Sequence, residues 1–108
     1  MKKLNDSKNE DLMQAILALE NKQEAKMFLR DLLTEKEILE LGNRWKAVQM
    51  LDAKKTYSEI EKETGLSSTT VARISKWFQA GTGGYGLMLK RISKNHHRTP
   101  SSSRKRLI

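Results

Sequence analysis

Four of the chain's six glycines fall within one seven-residue stretch, AGTGGYG, at residues 80–86. Glycine-rich loops can present backbone amides to a phosphate, as nucleotide-binding loops do. A loop of that type needs a lysine and then a serine or threonine after its last glycine, and here Leu87 follows. The stretch instead predicts a break between two helices. We expect Gly81 to end the first helix in the left-handed conformation, residues 83–84 to turn the chain, and Tyr85 to begin the next helix.

Residues that could support catalysis or bind a metal are few and poorly placed. His96 and His97 are adjacent, so they cannot share a helix face, and the chain has no cysteine to complete a metal site. Glutamate and lysine pairs at helical spacing, such as Glu59 with Lys62, are typical of exposed helix faces. We therefore expect no enzyme, no metal site and no cofactor. The lack of cysteine also fits a reducing cytoplasm.

The most specific chemistry lies in residues 56–79, TYSEIEKETGLSSTTVARISKWFQ. Thr56 and Glu59 have the spacing of a capping box, which opens a short helix that Gly65 would end. Ser67 can cap a second helix. Two short helices joined by a tight glycine turn form a helix-turn-helix. The apolar residues at the positions that would pack these helices together are Ile60, Leu66, Val71 and Ile74.

The outward face of the second helix carries hydroxyl and basic side chains. A helix N-terminus favours anions, and small hydroxyl side chains permit a close approach to base edges. The candidate DNA-binding residues are Ser58, Lys62, Ser67, Ser68, Thr69, Thr70, Ala72, Arg73 and Lys76. Within this set Ser68, Thr69 and Thr70 are candidates for base contacts, Ala72 for a thymine methyl, and Ser58, Lys62, Arg73 and Lys76 for phosphates. The alternative interpretation is a helical hairpin with a solvated polar face.

Helical periodicity accounts for the rest of the chain as well. Asn21 with Glu24, and Thr34 with Glu37, repeat the capping signature at the start of two further helices. The longer of these predicts a central, mostly buried helix, whose apolar residues are Ile38, Leu41, Trp45, Val48, Met50 and Leu51. No alternating strand pattern competes anywhere, and the single proline is Pro100. The predicted fold class is all-α.

Charge and composition set the predicted boundaries. Residues 90–108 carry seven basic and no acidic side chains, whereas residues 1–40 carry seven basic and nine acidic ones. This asymmetry favours a polyanionic partner for the C-terminal side. We expect a disordered N-terminus over residues 1–8, one helical domain over 9–95 with the helix-turn-helix at 57–79, and a basic disordered tail over 96–108. No apolar run is long enough to cross a membrane, and the N-terminus lacks the apolar core of a secretory signal.

The chain resembles the tryptophan repressor superfamily in the order of four segments. These are LLTEKEILELGNRWKAVQML, then YSEIEKETGLSSTTVARISKWF, then a glycine-rich loop and finally an amphipathic helix. The likeness covers roughly residues 10–95 and includes Thr34, Gly42 and Arg44 at matching positions. It implies a six-helix fold and an intertwined homodimer. Two recognition helices would enter successive major grooves of a palindromic operator in double-stranded DNA, in the docking that is described for the Trp repressor itself. The resemblance therefore implies that the protein is a transcriptional regulator that acts as a repressor. Its expected location is the bacterial nucleoid, in the cytoplasm.

The resemblance also implies a candidate effector pocket. Members that bind tryptophan hold it between two arginines, which are present here as Arg44 and Arg73, and they have a glycine where this chain has Ile74. Trp77 replaces a small hydroxyl residue. The full candidate pocket is Thr34, Arg44, Arg73, Ile74 and Trp77. Because Ile74 would fill the volume of an indole ring, we hypothesise that Ile74, helped by Trp45 or Trp77, substitutes for the corepressor, so that tryptophan is not the effector. A smaller effector at the two arginines is the alternative.

Two other functions remain open from the sequence. A helix-turn-helix can serve as a protein-interaction module, and the acidic N-terminal third could bind a basic partner. The same superfamily also resembles the DNA-binding domain of bacterial replication initiators. The absence of an ATPase region in this sequence argues against a complete initiator.

Overall fold

The computed structural model describes residues 6–98, with side chains described up to Ser93. Over this range the chain forms six helices and no strand, which confirms the all-α prediction. The helices are α1 (Ser7–Leu17), α2 (Lys22–Leu32), α3 (Glu35–Asp52), α4 (Tyr57–Thr64), α5 (Ser68–Ala80) and α6 (Gly84–Arg98). The chain divides into two compact units, one up to Glu40 and one from Leu41 onward.

The first and last helices extend a few residues beyond the predicted limits of the helical domain. Helix α1 begins at Ser7, inside the predicted N-terminal tail, because the side chain of Asp6 caps it by accepting a hydrogen bond of 2.9 Å from the Lys8 amide. Helix α6 continues to Arg98, past the expected limit at residue 95, since no glycine or proline interrupts the residues in between. His96 and His97 therefore lie in a helix. The remaining residues of the predicted tails, 1–5 and 99–108, are outside the described residues.

In the first unit, α1 and α2 are amphipathic helices without a fully buried side chain. Asn21 caps α2 as predicted, accepting 2.9 Å from the Glu24 amide. The Glu24 carboxylate accepts a hydrogen bond from the amide of Glu20, whereas in a capping box it would accept one from the amide of Asn21. Thr34 and Glu37 complete a reciprocal capping box at the start of α3, with bonds of 2.8 and 3.1 Å. These local signals act within a few residues, which is why the sequence reveals them.

The core of the second unit consists of five fully buried side chains from three helices: Ala47, Val48, Ile60, Val71 and Ile74. Six half-buried side chains surround this core: Trp45, Met50, Leu51, Leu66, Tyr85 and Leu89. The rings of Trp45 and Tyr85 pair at a centroid distance of 6.4 Å and an angle of 39°. The end of α3 and the start of α6 are thereby fixed to the helix-turn-helix.

The prediction that α3 is mostly buried is wrong for a single chain. Only Ala47 and Val48 of this helix are fully buried, while Leu39 and Leu41 are at least half exposed. The apolar stripe is wider than the surface that the other helices of one chain cover. Periodicity identified the apolar residues correctly, but it cannot tell whether the covering surface comes from the same chain.

The two capping boxes at Thr34 and Thr56 predict how stability responds to acid. The backbone N–H of Thr34 lowers the pKa of Glu37, and that of Thr56 lowers the pKa of Glu59; the threonine hydroxyls add to both effects. The stabilisation is complete above the ordinary value of 4.5, where both carboxyls are ionised in the folded and unfolded chain, and it is lost as the pH falls through the lowered folded pKa values. Urea unfolding from about pH 5 to about pH 3 should therefore show decreasing stability.

The matched control is the double variant Glu37→Gln, Glu59→Gln. Glutamine keeps a capping oxygen but has no charge to lose, so this variant should lose less stability over the same pH range. Equal acid losses in the two proteins would contradict a role for the capping carboxylates.

Candidate nucleic-acid interface

The first helix of the candidate interface, α4, is defined at both ends. The Thr56 amide donates to Glu59 Oε1 at 2.8 Å, and the Glu59 amide donates to Thr56 Oγ1 at 3.1 Å, which is the predicted capping box. At the other end Gly65 has a φ of 76°, in the left-handed region, and its amide donates 2.8 Å to the Glu61 carbonyl. Glycine enters this region without steric cost, so the turn starts as predicted.

One buried hydroxyl ties the turn together. Thr64 Oγ1 donates to the Ile60 carbonyl at 2.7 Å and accepts a bond of 3.2 Å from the Leu66 amide. It thus connects the last turn of α4 to Leu66, whose side chain packs against the core. Sequence reasoning missed Thr64 because a threonine near the end of a polar helix reads as exposed.

The second helix, α5, starts at the predicted cap. Ser67 Oγ accepts 3.2 Å from the Thr70 amide and donates 3.0 Å to Thr70 Oγ1. Ser67 and the half-buried Thr70 thus use their hydroxyls within the chain, whereas Ser68 and Thr69 are exposed. Of the candidate hydroxyls at the start of α5, those of Ser68 and Thr69 are therefore the most accessible to a ligand.

Helix α5 has a locked face and an open face. Val71 and Ile74 are fully buried, and Ser75 is almost so, its hydroxyl accepting 3.1 Å from the Gln79 side-chain amide. The open face carries the exposed candidates Ser68, Thr69, Ala72, Arg73 and Lys76. Because the buried face fixes the rotation of α5, the open face is held in one orientation.

All charged side chains of the open face are positive. No acidic residue follows Glu63 anywhere in the sequence, so α5 and α6 contain none. Ser58 and Lys62, four residues apart and therefore on one face of α4, are exposed as well. Within the described residues no carboxylate forms an ion pair with Arg73 or Lys76. These cations are therefore available to a polyanion.

The residues of the candidate effector pocket differ in their burial. Ile74 is 0% exposed and belongs to the core, and Arg44 is half-buried. Trp77 stands outside the buried cluster with 44% of its surface exposed, and its part in an effector pocket stays a prediction. Thr34 lies in the first unit, where its hydroxyl is used in the cap of α3. No group of metal-binding side chains occurs among the described residues.

The prediction that Gly81 is left-handed is wrong. Its φ is −86° and its ψ is −147°, and its amide donates 2.8 Å to the Trp77 carbonyl. A Cβ at this position would lie 2.5 Å from that carbonyl oxygen, so the site needs glycine for close approach of backbone to backbone. The left-handed residue of the loop is Gly83, with a φ of 93°, and α6 begins at Gly84 rather than at Tyr85.

A second unpredicted feature lies just before α4. Lys54 has a φ of 64°, and the amides of Lys54 and Lys55 donate to the carbonyls of Leu51 and Met50, each at 3.0 Å. This is a Schellman closure of α3 with lysine at the position that glycine usually occupies. Without a glycine there, the sequence carries no signal for it.

The comparisons with known proteins agree with this architecture. The family model for Trp repressor protein matches residues 7–93. The uncharacterized protein YerC of Bacillus subtilis (strain 168) is 34% identical over 102 residues, which cover 94% of this chain and 96% of YerC.

Two crystal structures are similar to the chain throughout the matched region. One is a TrpR like protein from Eubacterium eligens ATCC 27750, with a TM-score of 0.82 and 35% identity over 86% of this chain and 96% of that one. The other is a candidate Trp repressor from Staphylococcus aureus, with a TM-score of 0.79 and 36% identity over 85% and 92% of the two chains.

Of the helices among the described residues, none is both long and apolar enough to span a bilayer.

Proposed function

This chain belongs to the Trp repressor protein family, and from that membership we propose that it is a sequence-specific regulator of transcription that binds double-stranded DNA. It acts as a repressor on a palindromic operator, at the bacterial chromosome in the cytoplasm. The observation that carries this proposal is the open face of α5, where accessible hydroxyls are followed by unpaired cations while the opposite face is locked into the core. Membership of a family of regulators also argues against an enzymatic function for this chain.

A homodimer accounts for the apolar surface that one chain leaves uncovered. Leu39, Leu41 and Leu87 are 65, 50 and 48% exposed, which is unusual for leucines of a helical domain. A second copy of the chain offers the same surface in a self-complementary contact, as two-fold dimers do. Two copies also supply two recognition helices for the two halves of a palindrome.

Salt titration of DNA binding tests the proposal. Mobility shift with random genomic fragments should give clear binding at low salt and a steep loss as salt increases, because each phosphate contact releases condensed counterions. Absence of any shift at low salt would favour a protein-interaction module. A replication-origin type of binder would bind DNA too, and mapping of the bound sites across the genome would distinguish it by enrichment at an origin.

Two substitutions on the open face should separate base contacts from phosphate contacts. Thr69→Ala should relax sequence preference, costing about 1–3 kcal/mol at the preferred site and little elsewhere. Lys76→Ala should weaken binding to all sequences alike and reduce the salt slope by about one. The measurement is the affinity of each variant for selected and random duplexes. Equal, sequence-independent losses in both variants would show that the assignment of the recognition helix is wrong.

Free L-tryptophan should not bind the protein. Ile74 occupies the core position between α3, α4 and α5, and an extra ring in a filled site costs about 1–3 kcal/mol or more. Isothermal titration should show no heat of binding above dilution, and DNA affinity should be the same with and without the amino acid. Micromolar binding would contradict the hypothesis that Ile74 substitutes for a corepressor.

A further inference from the structure

Trp77 lies at the edge of the open face of α5 and is the one exposed large apolar side chain of this helix among the described residues. It is 44% exposed, while the apolar residues before it, Val71 and Ile74, are fully buried. An indole has a broad apolar ring and a single N–H donor, so it suits a boundary where one side of the contact is apolar and the other polar. Because the core leaves much of its indole uncovered, Trp77 offers apolar surface to a partner outside the core.

Two residues of the candidate interface, Arg73 and Thr69, lie on the same side of α5 as Trp77. Arg73 is four residues before it and Thr69 eight, which places the three within roughly 80° of the helix circumference at 3.6 residues per turn. Lys76 is adjacent and also exposed. The surface around the indole is therefore cationic and continuous with the face that we assign to DNA, so charge favours a polyanion over a second basic chain as its partner.

The distance along α5 tells which part of a duplex the indole would meet. Trp77 is nine residues after Ser68, the first residue of the helix, or about 13 Å along its axis. A recognition helix that enters by its N-terminal end reads base edges with its first residues, and the major groove is only about 8.5 Å deep. A side chain about 13 Å back along the helix would be farther from the base edges than the groove is deep, so it would meet the sugar-phosphate backbone rather than the bases.

We propose that Trp77 is a DNA-contact residue that packs its indole ring against a deoxyribose at the edge of the groove and donates its Nε1–H to a neighbouring phosphate oxygen. The contact carries no sequence information, because sugar and phosphate are common to all nucleotides. Trp77 adds an apolar component to binding that salt does not screen. This inference rests on the proposed function, since it requires that α5 faces DNA.

The test uses the full chain and its own fluorescence. The sequence has two tryptophans, so Trp45→Phe leaves Trp77 as the only indole. Acrylamide quenching of this variant is measured with increasing amounts of a duplex selected from a random pool. We expect DNA to protect the indole from quenching, with a midpoint that coincides with the mobility-shift midpoint of the same variant.

Affinity measurements complete the test. Trp77→Ala should bind selected and random duplexes about fivefold more weakly, as expected for losing the burial of part of a large aromatic side chain. Trp77→Phe should fall between it and the unmodified chain, because it keeps a ring but no donor. Leu17→Ala removes an exposed apolar side chain from α1 and should leave affinity unchanged. Light scattering on every variant confirms an unchanged oligomeric state.

The outcomes separate this inference from the proposed function. If DNA is bound but quenching of Trp77 and the affinity of Trp77→Ala are unaltered, the inference is wrong and the proposed function stands. If quenching falls with protein concentration in the absence of DNA, a second copy covers the indole and the inference is wrong. If no duplex shifts at low salt, the proposed function fails and the inference with it.

Discussion

Replacing Ile74 by alanine should lower the free energy of unfolding by about 2–5 kcal/mol, a large part of the stability of so small a domain. The side chain is 0% exposed and packs in the cluster that joins α3, α4 and α5. Its removal costs both the transfer free energy of the missing atoms and the cavity that remains, because the surrounding helices relax only partly. Urea unfolding followed by circular dichroism measures the loss.

A graded series makes the Ile74 prediction specific. Ile74→Val removes a single methylene and should cost only about 0.5–1.5 kcal/mol. If Ile74 also occupies the volume that an effector ring would need, L-tryptophan at high concentration should raise the Tm of Ile74→Ala and leave that of the unmodified chain unchanged, since a ligand stabilises only a state that binds it. A loss within about 0.5 kcal/mol for Ile74→Ala, typical of surface substitutions, would contradict a packed core at this position.

Replacing Gly81 by alanine should cost about 1–3 kcal/mol, the range for forcing atoms into an occupied volume. The new Cβ would lie 2.5 Å from the Trp77 carbonyl oxygen, and backbone cannot swing aside as a flexible side chain can. The end of α5 must therefore shift or unwind. DNA affinity should fall together with stability, because Lys76 and Trp77 are both in the last two turns of α5. Thermal unfolding and mobility shift on the same preparation measure both effects.

Gly86 provides the matched control for Gly81. A Cβ at Gly86 would meet nothing within 4 Å, and the residue lies inside α6. Gly86→Ala should therefore stabilise the protein by up to about 1 kcal/mol, because alanine is the better helix former. If Gly81→Ala were as stable as Gly86→Ala, the close approach at the end of α5 would not constrain the sequence.

Features that depend on residues three or four apart were predicted well. The caps at Asn21, Thr34, Thr56 and Ser67 each bond to the amide three residues on. The left-handed Gly65 was predicted for the same reason, since the turn between two short helices requires it locally. These signals depend on backbone geometry within one turn of chain, which the order of residues specifies directly.

Features that depend on what approaches from elsewhere were predicted poorly. Gly81 is an exception among the local features: the Trp77 carbonyl four residues before it requires a glycine there, but the spacing alone did not specify the conformation that the glycine adopts. The pattern also gave no reason to expect Thr64 and Ser75 to be buried. Trp77 is 44% exposed, and its place in an effector pocket, which the resemblance implies, stays a prediction.

The sequence by itself determined the all-α class, the helix-turn-helix and its caps, and the cationic C-terminal half, because helix periodicity, capping and charge are properties of neighbouring residues. Only the tertiary structure decided which apolar residues one chain buries, and that Ile74 rather than Trp77 belongs to the core. Those outcomes depend on the packing of helices that are distant in sequence, and each packing contact excludes side chains that the local pattern would allow.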